Sequence, residues 1–163
     1  MPIVSVIIPI YNAGDSLNDC LKSVLTQTLH NIEIICVLDC PTDGSDKIAK
    51  QYAQQDSRIQ IIENAHNQHI GNSRNIGLKA ASGEYVAFCD DDDTMVADFL
   101  ETMVREAQKA QVPFVGSYDM YIDMPELSNS LCCYTQEAYL SVFSGKSELY
   151  SPSVWTYIYQ RDF

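Results

Sequence analysis

Short runs of almost wholly apolar residues alternate along this chain with stretches whose apolar residues recur at helical spacing. The predicted strands are residues 4–8, 32–38, 58–62, 84–89 and a fifth that starts at Pro113. We expect the first strand to be stopped by Pro9. Strands that are apolar on both faces and separated by helices are typical of a parallel sheet covered on both sides. The sequence therefore predicts an α/β fold with a mostly parallel central sheet and helices on both faces.

Four helical patterns lie between these strands. The first has Asp15 or Ser16 as its candidate N-cap, and the second opens at residues 43–45. The third is predicted at roughly residues 72–81, and the fourth carries an apolar face that begins at Phe99. Helices in these positions complete the alternation of strand and helix that the predicted fold requires.

The last part of the chain has a different pattern. From about Tyr118 the aromatic residues are scattered, and one short helix is predicted at residues 135–143. The length of 163 residues suits one domain with the beginning of a second region. We therefore divide the chain into an α/β part, residues 1–117, and a second part, residues 118–163.

The charge balance is strongly acidic. Twenty-two Asp and Glu residues against ten Lys and Arg residues give a formal net charge of −12. A nucleic-acid partner would need a basic stripe, which is not visible in the sequence, so nucleic-acid binding is not expected. No apolar run is long enough for a membrane span, and the N-terminus lacks the basic flank of a signal peptide. We expect a cytoplasmic protein.

The strongest chemical signal is the run of four acids from Asp90 to Asp93, directly after an apolar strand. Coulomb's law gives a repulsion of roughly 3 kcal/mol for a pair of carboxylates about 6 Å apart at an effective dielectric near 20. A divalent cation would neutralise such a cluster, and oxygen ligands favour Mg²⁺ or Mn²⁺. The alternative is a solvated acidic loop that starts a helix, where acids also suit the helix dipole.

Other polar residues are predicted at the same edge of the sheet. Asp39 follows the second strand and can accept hydrogen bonds from a base or a ribose, or it can be a turn residue before Pro41. Tyr11 follows the first strand and can stack on a flat base, or it can be a half-buried aromatic under a loop. Arg74, in the third helix, can reach a diphosphate, or its stem can pack on the helix surface.

Read together, several segments resemble glycosyltransferase family 2, the inverting enzymes with the GT-A fold. Residues 4–12 are similar to the family's opening strand, and residues 25–35 to its next helix and strand. Residues 71–77 resemble its SxARNxG segment, and residues 83–93 its GEYIxFxDxDD segment, which holds the DxD metal motif. Residues 153–159 resemble a later xVWNKLY stretch. The resemblance implies a Rossmann-like fold for a nucleotide-diphospho-sugar transferase, with residues 1–117 as the donor-binding subdomain and residues 118–163 as the start of an acceptor-side region.

The resemblance also implies roles for individual residues. Tyr11 and Asp39 would hold the base, usually uracil, and Arg74 would lie near the nucleotide. Asp90 would face the ribose or the metal, and Asp92 would bind the Mn²⁺ or Mg²⁺ that bridges the diphosphate. The full set of expected nucleotide-binding residues is Pro9, Tyr11, Asn12, Asp39, Asn67, Arg74, Asp90 and Asp91, and the expected metal ligands are Asp90 and Asp92.

The chain departs from the family pattern at two loops. Leu38 and Cys40 flank Asp39 where the family often reads DDGSTD, and Gln68 and His69 replace a commonly glycine-rich pair. The family's general base, an aspartate, lies beyond the xVWNKLY-like stretch, so we expect it beyond Phe163 and assign no catalytic base within these 163 residues.

The implied function is metal-dependent, inverting transfer of a sugar from a nucleotide-diphospho-sugar, with UDP-sugar the expected donor. A saccharide or another hydroxyl compound would be the acceptor, in the synthesis of cell-surface polysaccharide or lipopolysaccharide in bacteria. Peripheral attachment to the inner face of the plasma membrane through later residues is compatible with this expectation. The alternatives are a nucleotide-sugar-binding module without turnover and a sugar nucleotidyltransferase, although the latter would want a basic, glycine-rich loop after the first strand.

Overall fold

The computed structural model describes residues 1–112, 114–117, 131–134 and 157–161, which contain seven strands and four helices. The strands are β1 (Val4–Ile10), β2 (Ile32–Leu38), β3 (Ile59–Glu63), β4 (Tyr85–Phe88), β5 (Phe114–Ser117), β6 (Leu131–Tyr134) and β7 (Tyr157–Gln160). The helices are α1 (Ser16–Leu25), α2 (Ser45–Gln55), α3 (His69–Ala80) and α4 (Phe99–Ala110). The predicted helix at residues 135–143 lies outside the described residues.

All seven strands form one mixed sheet in the order β3-β2-β1-β4-β7-β5-β6. The pairs β3–β2, β2–β1 and β1–β4 are parallel, whereas β7 pairs antiparallel with both β4 and β5. The chain first builds outward from β1 to β3 and then returns to place β4 on the other side of β1. The carboxyl ends of β1 and β4 therefore flank a topological switch point, where open α/β sheets bind their ligands.

Buried side chains cover both faces of the sheet, because successive residues of a strand point to opposite sides. On one face, Val6 and Ile8 of β1 belong to a core that includes buried residues of α1 and α4. On the other face, Ile7 packs in a smaller core with Ile76 and Ala80 of α3. Full burial of each large aliphatic side chain stabilises the fold by about 1.5–3 kcal/mol. The predicted α/β fold with helices on both faces is confirmed.

Helix α3 approaches the sheet closely at Gly77. A Cβ atom at this position would collide with the side chain of Ile7, which lies in the middle of β1. Glycine is needed here because it has no side chain. The close approach sets the distance between α3 and the sheet. The first turn of α3 is thereby held next to the carboxyl ends of β1 and β2.

Two expected boundaries were wrong. Strand β1 continues through Pro9 to Ile10. The carbonyl of Ile7 accepts a hydrogen bond on the β4 side of β1, and the carbonyl of Ile10 accepts one on the β2 side. Since the backbone groups of successive residues face opposite neighbouring strands, the backbone nitrogen of Pro9 faces the β4 side. Because β4 ends at Phe88, opposite Ile7, the missing N–H of Pro9 costs no ladder hydrogen bond.

Helix α3 begins at His69 instead of near residue 72. The Gln68 N–H donates to the carboxylate of Asp39, and the His69 N–H donates to Asn67 Oδ1. These two hydrogen bonds satisfy donors that the start of a helix leaves free, so the helix can begin earlier than its apolar pattern indicates.

Within the described residues, the structure has no helix with both the length and the apolar character that crossing a membrane requires. The division of the chain at residue 117 stays a prediction.

Candidate functional site

The switch point brings together the residues that follow β1 and β4. The backbone N–H of Tyr11, directly after β1, donates a hydrogen bond of 2.8 Å to Asp91 Oδ2, in the loop after β4. The Tyr11 side chain is 53% exposed, so its ring is open to a ligand. This hydrogen bond ties the two loops that flank the switch point.

Asp39 lies next to this pair, at the end of β2, and it is buried. Its Oδ1 atom accepts two hydrogen bonds of 2.7 Å, from Asn64 Nδ2 and from the Gln68 N–H. Burial would raise the pKa of Asp39, but these hydrogen bonds, with others from His69 and Ser73, hold it below its ordinary value. Asp39 is therefore an oriented carboxylate that carries a negative charge at neutral pH.

A cavity of about 260 Å³ opens between these residues. The residues that line it are Pro9, Ile10, Tyr11, Asp39, Asn67, His69, Ile70, Ser73 and Asp91. Five of the eight expected nucleotide-binding residues are in this set, namely Pro9, Tyr11, Asp39, Asn67 and Asp91. We call this the nucleotide cavity, after the expected nucleotide-binding residues that line it.

Arg74 and Asp90 form an ion pair beside the nucleotide cavity, with 2.5 Å between Arg74 Nη2 and Asp90 Oδ1. The guanidinium carbon lies 5.9 Å from the centre of the Phe88 ring, a cation–π distance. Arg74 Nε is buried and has no hydrogen-bond partner among the described residues. A second cavity, of about 540 Å³, begins here, and its lining includes Arg74 and Phe88.

The four consecutive acids are not equivalent. Burial raises the pKa of Asp91 to about 6, and the neighbouring charges of Asp92 and Asp90 add to the rise. The pKa of Asp93 is raised for the same reasons, with burial the larger cause. Asp92 is exposed. The run therefore combines half-buried carboxylates that resist ionisation with one that faces solvent.

No group of three or more His, Cys, Asp or Glu side chains in the described part of the chain could hold a metal ion. Asp90 and Asp92 supply two carboxylates, and Mg²⁺ sites commonly use one or two together with substrate phosphates. These two residues therefore fit an ion shared with a diphosphate, and they do not form a site made of protein ligands alone.

Asn12 has a structural role in the loop after β1. Its backbone φ is 56°, and its Oδ1 atom accepts a 2.7 Å hydrogen bond from the Thr42 N–H. Asn12 is not one of the described residues that line the nucleotide cavity. It joins the loop after β1 to the loop after β2, and its expected contact with a nucleotide stays a prediction.

Sequence reasoning missed several residues of this site. Asn64 and the Gln68 N–H orient Asp39, and Asn64 could have been found because it directly follows β3 at the same edge of the sheet. His69 and Ile70 line the nucleotide cavity, and Ile70 is 51% exposed. No sequence pattern distinguishes these two residues, because single apolar residues in polar segments are common on protein surfaces.

Comparison with known proteins places the chain in a family. The model of Glycosyl transferase family 2 matches residues 5–140. The Bacillus subtilis glycosyltransferase EpsJ is 34% identical over 99% of this chain, which spans 49% of EpsJ. The putative teichuronic acid biosynthesis glycosyltransferase TuaG, also of Bacillus subtilis, is 45% identical over 64% of this chain and 41% of its own length. This chain thus spans about half or less of the length of these relatives.

Solved structures agree on the fold. TarS 1–349 of S. aureus in complex with UDP-GlcNAc superposes with a TM-score of 0.74 at 23% identity, covering 99% of this chain and 46% of TarS 1–349. The mannosyltransferase PcManGT of Pyrobaculum calidifontis, with GDP-Man and Mn²⁺, gives the same TM-score at 20% identity, covering 99% of this chain and 45% of its own. Identities this low establish the GT-A fold alone. With the match over residues 5–140, the chain belongs to glycosyltransferase family 2.

Proposed function

We propose that this protein is a glycosyltransferase that takes its sugar from a nucleotide-diphospho-sugar bound at the switch point between β1 and β4. The observation that carries the proposal is the nucleotide cavity, where Tyr11, Asp39 and Asp91 from three different strand ends come together. TarS and PcManGT, which share the fold, are in complex with UDP-GlcNAc and GDP-Man, respectively.

The base of the nucleotide would bind against Asp39 and Tyr11. The two short hydrogen bonds to Asp39 end on Oδ1, and each oxygen of a carboxylate can accept more than one hydrogen bond, so Asp39 has capacity left for an N–H of a base such as uracil. The exposed ring of Tyr11 offers a face for stacking. Because Asp39 is already oriented and charged, it would lose little entropy when it binds the base. This chemistry supports UDP as the nucleotide.

The diphosphate would lie toward Arg74 and Asp90. Arg74 supplies a positive charge in a strongly acidic chain, and Asp90 and Asp92 would hold Mn²⁺ or Mg²⁺ against the phosphate oxygens. When bound, such an ion would stabilise the charge of the departing nucleoside diphosphate. The half-buried carboxylate of Asp91 adds a hydrogen-bond acceptor on the nucleotide side. It is held there because it accepts the Tyr11 N–H, which fixes its loop beside Tyr11.

The reaction that this arrangement serves is a substitution at the anomeric carbon. The acceptor hydroxyl would lose its proton to a general base and form the new C–O bond, while the bond to the diphosphate breaks and the nucleoside diphosphate leaves, with the inversion that the resemblance implies. The residues described here bind and orient the donor. A saccharide acceptor on the cell surface is supported by TuaG, whose name refers to teichuronic acid biosynthesis.

The test is a calorimetric titration of the protein with UDP in the presence of Mn²⁺. We expect the Asp39→Asn variant to bind UDP about 10- to 100-fold more weakly, the size expected for the loss of one hydrogen bond to a charged group. Asp19→Asn is the matched control, because Asp19 is an exposed carboxylate on α1 with a side chain 75% exposed. It should bind UDP like the wild type.

Two further arms test the rest of the proposal. Titration with GDP and with CDP in place of UDP tests which base the protein binds. Titration after chelation of the metal tests the role of the ion. In the Asp92→Asn variant, we expect most of the effect of Mn²⁺ on UDP affinity to be lost. Equal UDP affinity for the wild type and Asp39→Asn would overturn the base-binding role. Failure of the wild-type protein to bind any nucleoside diphosphate would overturn the proposed function.

A further inference from the structure

Four non-glycine residues in the described part of the chain have a left-handed backbone. They are Asn12, Cys40, His69 and Gln111, with φ values of 56°, 58°, 62° and 53°. This conformation is unfavourable for residues with a Cβ atom, and such strain clusters at functional sites. Three of the four lie at the carboxyl edge of the sheet, beside the nucleotide cavity.

A local reason is visible for every one of these residues except His69. The side chain of Asn12 accepts a hydrogen bond from Thr42, and Cys40 Sγ donates one of 3.3 Å to the Asn64 carbonyl. Gln111 is the C-cap of α4, an ordinary place for this backbone.

The strain at His69 has no such local compensation. Among the described residues, the imidazole of His69 has no hydrogen-bond or ion-pair partner. Its N–H donates to Asn67 Oδ1, which a glycine would do equally well. Within the described part of the chain, His69 is therefore a strained residue whose side chain makes no hydrogen bond or ion pair.

The position of His69 suggests what the imidazole does. It lines the nucleotide cavity, and it is the one described residue that also lines the second cavity. The other residues around the second cavity are Gln68, Gly71, Asn72, Arg74, Asn75 and Phe88. A molecule that fills the nucleotide cavity and continues into the second cavity must pass His69.

The second cavity suits a sugar. Three carboxamide side chains, from Gln68, Asn72 and Asn75, can both donate and accept hydrogen bonds, as hydroxyl groups require. Arg74, whose guanidinium lies over the Phe88 ring, can donate to phosphate or hydroxyl oxygens. Carboxamides and a single cation are better matched to a neutral, hydroxyl-rich group than to a second nucleotide base.

We propose that His69 is a specificity-determining residue, whose imidazole hydrogen-bonds the sugar-diphosphate end of the donor where it leaves the nucleotide cavity for the second cavity. This inference rests on the proposed function. It adds to that function the residue that makes the protein bind a nucleotide sugar more tightly than a nucleotide without a sugar. The strained backbone is retained because it holds the imidazole at the border between the two cavities.

The experiment compares three variants by calorimetry in the presence of Mn²⁺ and by thermal unfolding. His69→Ala removes the imidazole and keeps the strained backbone, whereas His69→Gly removes the imidazole and relieves the strain. Gln111→Gly relieves the same kind of strain at the end of α4, away from the site. The ligands are UMP, UDP, UDP-glucose and UDP-GlcNAc, and the UDP-sugar that the wild type binds more tightly is used for the comparison.

We expect both His69 variants to bind the UDP-sugar about five- to tenfold more weakly, as for the loss of one hydrogen bond, with UMP affinity changed less than about twofold. His69→Gly and Gln111→Gly should each raise Tm by about 2–4 °C. Gln111→Gly should leave all affinities unchanged.

Other outcomes overturn the inference. If His69→Ala binds the UDP-sugar like the wild type, or if its affinity for UMP falls by the same factor, the imidazole does not hydrogen-bond the sugar-diphosphate end. If only His69→Gly weakens binding, the rigidity of the loop is responsible and not the imidazole. A wild-type protein that binds neither UMP nor UDP would instead show that the proposed function itself is wrong.

Discussion

Two half-buried carboxylates, Glu33 at the amino edge of the parallel strands and Asp91 at their carboxyl edge, have opposite surroundings. At the amino edge, Glu33 Oε1 accepts hydrogen bonds of 2.6 Å from Ser5 Oγ and from the Ser82 N–H, and a longer one from the Gly83 N–H. At the carboxyl edge, Asp91 accepts the Tyr11 N–H and lies beside Asp90 and Asp92, which repel its charge.

The pKa values follow these surroundings. Burial alone would raise the pKa of Glu33, but the hydrogen bonds from Ser5, Ser82 and Gly83 hold it below its ordinary value. Burial and neighbouring acids raise the pKa of Asp91 to about 6. The donors around Glu33 make it a stabilising part of the amino edge. Asp91, which the fold leaves short of donors and close to like charges, has acceptor capacity for a ligand or a cation.

The largest expected effect is at the amino edge, in the Gly83→Ala variant. A Cβ atom on Gly83 would lie 2.7 Å from the Ser5 backbone nitrogen and 2.9 Å from the Val4 carbonyl carbon, so backbone atoms must move. We expect a loss of about 3 kcal/mol in the free energy of unfolding, measured by urea denaturation. UDP affinity of the folded protein should be unchanged. A loss below 1 kcal/mol would mean that the amino edge is less rigid than its hydrogen bonds indicate.

Glu33→Gln should have the next largest effect. The variant keeps the size of the side chain and removes the charge that strengthens its hydrogen bonds, so we expect a loss of about 1.5 kcal/mol at pH 7. Because the pKa of Glu33 is lowered in the folded protein, its contribution is present above the ordinary value of 4.5 and is lost as pH falls through the folded value. Thermal unfolding from pH 7 to pH 3 checks this, and a difference that does not shrink as pH falls below 4.5 would contradict it.

The smallest effect, with the opposite sign, is expected for Asp91→Asn. The folded protein favours the protonated form of Asp91, so ionisation lowers stability increasingly from the ordinary value of 3.8 up to about pH 6, and the full cost remains above that. After allowance for solvent screening, we expect the variant to gain about 1 kcal/mol at pH 7.5. The gain should fade below pH 4. A variant less stable than the wild type at pH 7.5 would remove the contrast between the two edges.

The grouping of the candidate site residues at one edge of the sheet could be predicted from the sequence, because it follows from parallel strands. Residues that directly follow β1, β2 and β4 must meet at one edge of the sheet, which is why Tyr11, Asp39 and Asp91 could be placed together before the structure was known. The orientation of Asp39 could not be predicted in the same way. It depends on a hydrogen bond from the backbone N–H of Gln68, and a sequence does not show which acceptor a backbone N–H will bind.

The predictions that were wrong or missed have a common physical cause. Local structure at these residues depends on contacts with residues that are distant in the sequence. Pro9 could remain in β1 because β4 happens to end two residues earlier in the register. The role of Glu33 was missed because its donors lie at Ser5 and at residues 82–83, far from it in the chain. The ion pair of Arg74 with Asp90 likewise joins a helix to a loop that no local pattern connects.

The position of β7 has a consequence for how the chain acquires its structure during synthesis. Strands β1 to β4 can assemble as soon as residue 88 has left the ribosome, and β5 can pair with β6. The two groups cannot join until residues 157–160 emerge, because β7 is the strand that hydrogen-bonds to both. Until then β4 presents an unpaired edge, open to other nascent chains. Joining the two groups therefore requires the closure of a loop of roughly 70 residues, a long-range and slow event.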